Sequence, residues 1–226
     1  MPAPVEPTLA RNDAYLRVIE GYDLCPFARS CRTTGQLLRR VVRDPDLPTA
    51  LLNQLLELQV SRDGDFEVAL LIAPDYSDGP RPWEALIQQL NAQVQALLAA
   101  QGAVPTCYCV AFHPQMAYHT ETPLQLVGLL RHSPDPTLQL VRREVLDRVR
   151  GYQGEHRFLD PQEWATPAQA MAAAEALVGR PPLSDRIAAA NYATWQRAAG
   201  QLERELEAVA VYRDTETDGD LADQPG

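Results

Sequence analysis

"FEVALLIAP", Phe66–Pro74, is a near-continuous apolar run that stops at a proline. A strand with one wet face alternates apolar and polar residues; a run apolar on both parities reads as a strand covered on both sides, as in a parallel sheet. Upstream, "QLLRRVVR" (36–43) reads as a strand and "LPTALLNQLLELQV" (47–60) as a helix. Downstream, "PWEALIQQLNAQVQALLAAQG" (82–102) has Pro82 near its first turn and Gly102 at its end, the expected punctuation of a helix. "TCYCVAFHP" (106–114) is a third apolar run, again halted by proline. Strand, helix, strand, helix, strand predicts an α/β domain, with α+β possible: a small three-stranded parallel or mixed sheet flanked by helices. Strand order cannot be read from this pattern, so a ferredoxin-like arrangement stays open.

A helix is predicted over 8–22, where Thr8 can cap and Tyr15, Val18, Ile19 and Tyr22 recur at helical spacing. From about residue 123 onward the chain reads as helical. "DPTLQLVRREVLDRVRG" offers Asp135 as cap, Pro136 at the first position, and Leu138, Val141, Val145 and Val149 inward. Residues 151–164 read as a loop and 166–182 as a short helix. A final helix over 184–212 sets Ala188, Tyr192, Trp195, Ala199, Leu202, Leu206 and Val209 in a heptad-like seam. That seam needs an apolar partner, either this same chain or a second copy in a homodimer. The domain reading is thus 1–7 disordered, 8–150 an α/β domain, 151–212 a helical extension packed on it, and 213–226 an acidic disordered tail.

Formal net charge is −10, and "DTETDGDLADQPG" from Asp214 to Gly226 supplies five acids and no base. Such a composition predicts disorder there. The acidic balance argues against nucleic acid as a partner, because phosphate binding needs a concentrated basic surface. All twenty basic residues are Arg, which removes a lysine Schiff base or a phosphate-loop lysine. No apolar run is long enough for a membrane span, and the N-terminus lacks the pattern of a signal peptide; a cytoplasmic location is the expectation. Nucleotide-binding glycine motifs are missing, as are CxxC pairs.

"GYDLCPFARSCRTTG", Gly21–Gly35, concentrates two of the four cysteines beside arginines. Cys25 precedes proline, which pushes its backbone toward an extended form. Pro26 suits the first position of a short helix, placing Cys25 as its cap with Arg29 and Arg32 on the same face. Free N–H groups, the helix dipole and nearby guanidinium groups all lower a thiol pKa, so this layout predicts a stabilised thiolate. A buried structural cysteine in a tight turn is the competing reading. Cys31 falls on another face, and Cys107 and Cys109 read as small apolar residues of a strand core. His113 stands at the end of the third apolar run, where open α/β sheets place their sites. His119 and His132 lie in loops within reach of that end, and His156 reads as solvent-facing. Cys25 with His113, His119 and His132 resembles a metal-ligand set in type, and Cys-Pro can offer a thiolate to heme; a Cys–His couple also suits nucleophilic catalysis.

"LCPFARS" (24–30), "FHP" (112–114) and "SPDPTLQLVR" (133–142) resemble, in this order, three blocks of an uncharacterised bacterial family, domain of unknown function 1415. The resemblance runs from about residue 10 to about residue 150. It implies an N-terminal helix, strand–helix units and a leucine-rich helix after the third block. It also brings together Cys25, Pro26, His113, Pro114, Ser133, Pro134, Pro136 and Arg142 as motif positions. No reaction comes with it. Two departures stand out: His132 where the family has Arg, and Asp135 where it has an aromatic residue.

Three functional classes follow. The first is an enzyme acting on a small anionic molecule, with Cys25 and His113 catalytic and Arg29, Arg32, Ser133 and Arg142 holding the substrate. The second is a heme- or metal-binding protein with Cys25 as ligand. The third is a non-catalytic interaction protein that works through its C-terminal helix.

Overall fold

Val68–Ile72 is buried along its whole length, and its two parities go to different cores. Ala69 and Leu71 pack with one set of helices, while Val68, Leu70 and Ile72 pack with residues from the other side. That two-sided burial fixes the middle of the sheet. The computed structural model describes residues 6–25, 27–61, 64–146 and 183–219. In chain order the elements are α1 (Pro7–Gly21), α2 (Ala28–Thr33), β1 (Leu37–Val41), α3 (Leu47–Val60), β2 (Val68–Ile72), α4 (Pro80–Ala100) and β3 (Cys107–Phe112). Then come α5 (Val127–Leu130), β4 (Thr137–Arg142) and a long helix, α6 (Leu183–Gly219). Pro26 and residues 147–182, Val149 and His156 included, with 1–5 and 220–226, lie outside the described residues, and so do the expectations that rest on them.

The sheet is mixed, in the order β1-β2-β4-β3. β1 and β2 pair in parallel from Leu37↔Val68 to Val41↔Ile72. β4 runs antiparallel to both β2 and β3. The domain is therefore α/β as expected, but with four strands instead of three. The fourth is the segment read as a leucine-rich helix. Leu138 and Val141 satisfy a helical period, yet Leu138 and Leu140 also satisfy the strand period of two. Tertiary context decides: β2 and β3 each present an open ladder edge, and a strand between them satisfies both. Pro136 also starts the segment with a fixed backbone angle and no N–H to lose. Only residues 143–146 are helical before the described stretch ends.

Leu51, Leu55 and Leu58 of α3 and Trp83, Ile87, Leu90, Val94 and Leu98 of α4 cover one face of the sheet, meeting Ala69, Leu71, Ala111, Leu138 and Leu140. Cys107 and Cys109 belong to this core, as expected of them. On the opposite face, Phe27 and Cys31 close over Val68, Leu70 and Ile72. There α1 packs against α5 and α6 through Tyr15, Leu16, Ile19, Leu126, Leu129, Leu202 and Leu206. The heptad-like seam of α6 is thus occupied from within the chain, around a kink at Ala198. α6 continues to Gly219, past the expected boundary at 212. No helix among the described residues is long and apolar enough to cross a membrane.

Candidate functional site

The two helical layers fit the sheet unequally. α3 and α4 seal their face, whereas on the opposite face Phe27 and Cys31 cover the sheet only in part and Leu37, Val68 and Leu70 still border open space. Over β3 and β4 a cavity of about 330 Å³ remains between the sheet and α1, α5 and α6. Its floor alternates correctly for strands: Tyr108, Val110 and Phe112 from β3, Thr137, Gln139 and Val141 from β4. Gln139 sits mid-floor, its Cα partners being Leu70 on β2 and Val110 on β3. Walls come from Tyr15, Leu16 and Ile19 of α1 and from Ile187, Ala188 and Asn191 of α6.

Cys25 stands in the wall of this cavity. A left-handed turn at Asp23 (φ 51°) follows α1, and Leu24 N–H donates to Ile19 O at 2.9 Å, which turns the chain inward. Asp is among the few residues that tolerate this conformation. The cap of α2 is Phe27, so Cys25 lies two residues earlier than expected. Its sulfur still receives the backbone N–H groups of Phe27 and Ala28, which favour a thiolate, but burial outweighs them and raises the thiol above its ordinary value. The expected lowering is therefore absent. Cys31 also lines the cavity, and its thiol donates to Glu67 Oε2 at 3.3 Å; burial and Glu67 push it up to about 12.

The other expected site residues are drawn to other tasks. His113 is buried at the end of β3, with Nε2 3.0 Å from Asp78 O and Nδ1 accepting from Gln115 N–H at 3.1 Å. Those partners fix a neutral tautomer, with the proton on Nε2. His113 does not line the cavity with Cys25. His132 bonds Met116 O and stands edge-on to Tyr118, beside a smaller cavity of about 180 Å³. His119 is exposed. Among the described residues no group of three or more His, Cys, Asp or Glu could hold a metal ion, so the Cys25, His113, His119, His132 set is not assembled.

Arg32 forks onto the buried Glu20 carboxylate at 2.7 and 2.6 Å, and Arg29 bonds Glu20 O and pairs with Asp23. Arg142 is buried on the far face, donating to Ser61 and lying over the Phe66 ring. Ser133 does line the cavity, but its hydroxyl donates to Asp135 O at 2.5 Å, as Thr137 does at 2.8 Å. Asp135 is not a helix cap. Its carboxylate takes a fork from Arg11 at 3.2 and 3.1 Å, both groups buried, and this pins α1 to the 133–137 turn.

Sequence reasoning missed Arg131, Gln139 and Asn191. Arg131 is half-buried and is the one charged residue among the described residues of the cavity lining. Its side chain has neither ion pair nor hydrogen bond among the described residues, and the same holds for the Gln139 amide. Asn191 is 4% exposed and its amide nitrogen has no partner. Arg131 precedes His132, a departure from the family's third block, and gave no signal of its own. Gln139 was assigned to a helix, where a polar residue is unremarkable; mid-strand in an apolar face it is the signal.

No curated protein and no solved structure matches the chain. A family model described as "protein of unknown function (DUF1415)" matches residues 12–159, which takes in most of α1, everything from α2 to β4 and the whole sheet face of the cavity. By that match, and in agreement with the three sequence blocks, the chain is a member of the DUF1415 family.

Proposed function

We propose that this domain binds a small, mainly apolar molecule in the cavity over β3 and β4. The cavity itself carries the reading: about 330 Å³ of space walled by Leu16, Ile19, Leu70, Val110, Phe112 and Val141. Ligand sites are concave, mostly apolar and furnished with a few polar groups, and this volume lies at the small end of their range of roughly 300–1,000 Å³. Cys25 then serves as a wall contact for the ligand, a polarisable thiol held by two N–H groups. Binding is preferred to Cys25–His113 catalysis because both ring nitrogens of His113 are engaged by backbone and burial keeps the Cys25 thiol protonated.

Titration with the neutral dye phenylnaphthylamine, whose fluorescence rises in apolar surroundings, tests this reading. Wild-type protein is expected to bind it saturably at one site. Val110→Trp, which fills the floor, is expected to abolish that signal while leaving the circular dichroism spectrum intact. Equal binding by both proteins, or none by either, removes the proposal.

A further inference from the structure

We infer that the ligand of this cavity carries a single carboxylate, held by Arg131 beside an apolar body. This rests on the cavity reading above and names the class of molecule. An apolar cavity has no structural use for a cation, and desolvating a guanidinium without a partner is unfavourable. Other described arginines that are buried or half-buried are paired: Arg11 with Asp135, Arg39 with Asp13, Arg40 with Glu57. Among the described buried or half-buried arginines Arg131 is the exception, and it lines the cavity. The guanidinium fork matches a carboxylate in two parallel hydrogen bonds.

Polar groups around it sort into engaged and open. Tyr15 donates to Leu130 O at 2.6 Å, Ser133 and Thr137 donate to Asp135 O, and Asn12 Oδ1 accepts from Arg39. The amides of Gln139 and Asn191 are left over. A half-buried glutamine without a partner in the middle of an apolar strand face is a cost with no structural return. Both amides offer N–H donors to an anionic head or to a second oxygen on the ligand. A phosphate ester fits less well: its second negative charge would enter the cavity with no second cation among the described lining residues. The size and charge together select a short aryl or branched-alkyl monocarboxylic acid.

The test uses the full chain and a matched pair of probes, phenylbutyrate and its neutral amide, by calorimetric titration. The acid is expected to bind wild type at least about tenfold more tightly than the amide, the usual scale of a charged hydrogen-bonded contact. In Arg131→Gln the two affinities are expected to become equal, while Arg131→Lys keeps most of the preference. Because the Arg131 side chain has no partner among the described residues, neither variant should shift the melting temperature. If the amide binds wild type as well as the acid, or if Arg131→Gln keeps the preference, the carboxylate assignment is overturned and the cavity reading stands. If neither probe binds and phenylnaphthylamine also fails, both fall.

Discussion

Replacing Asp135 by Ala should destabilise this protein more than any substitution at the surface. The Asp135 carboxylate is 1% exposed and Arg11 7% exposed, with both oxygens taken by the guanidinium fork at 3.2 and 3.1 Å. Removing the carboxylate takes away the fork that holds the buried Arg11, leaving it Thr8 Oγ1 among its contacts; breaking a buried pair in this way costs about 3–5 kcal/mol. For a chain of this length each kcal/mol moves the melting temperature by roughly 2–4 °C, giving a drop of roughly 6–20 °C. Arg11→Met/Asp135→Leu removes both charges together and should recover much of that loss, since a buried pair exchanged for apolar groups of similar size is often near neutral. Urea denaturation of Asp135→Ala, of the singles Arg11→Met and Asp135→Leu, and of the double variant measures this. A loss under about 1 kcal/mol in Asp135→Ala, or a double variant as unstable as the two singles combined, would refute the argument. The same contact fixes α1 over the cavity, so Asp135→Ala should also weaken phenylnaphthylamine binding.

Other expectations follow from single contacts. Leu202→Ala should lose about 2–5 kcal/mol, because Leu202 is fully buried between α6 and α1; an unchanged urea midpoint would show that α6 is not packed as described. A Cβ at Gly128 would overlap the Ala117 carbonyl oxygen, which is backbone, so Gly128→Ala should lower the melting temperature by several degrees, with no change counting against that close approach. All four thiols are raised by burial, Cys31 and Cys109 to about 12. In the unfolded chain they ionise near 8.5, so above that pH the unfolded state holds fewer protons and stability falls. Denaturation at pH 7 and pH 10 should show the decline, and iodoacetamide should label native Cys25 slowly at pH 7 and faster only as the pH rises past its ordinary titration range.

The fold was legible where one pattern ruled. α3 was predicted over 47–60 and forms over Leu47–Val60, because its leucines fit only a helical period and Pro48 marks its start. β2 announced itself by being apolar on both parities. β4 was illegible because Leu138, Leu140 and Val141 fit both periods, and the deciding factor was a gap between β2 and β3 that no local window contains. The candidate site divides the same way. Cys25 was found from its own neighbours and does stand in a cavity wall. The arginines beside it were read as substrate ligands, but Glu20, one helix earlier in the chain, claims Arg32, and Asp23 claims Arg29. Arg131, Gln139 and Asn191 come from a loop, a strand and a distant helix, and only the folded sheet sets them around one space.

The proposed binding space over β3 and β4 has a mainly apolar wall. A crystal of the full chain equilibrated under xenon probes it without regard to the ligand's identity, because the apolar part of a cavity accepts such atoms. The account predicts xenon density between Val110, Leu70, Leu16 and Val141, and none in crystals of Val110→Trp. Side chains filling that volume, with xenon absent from it in the wild type, would contradict the account.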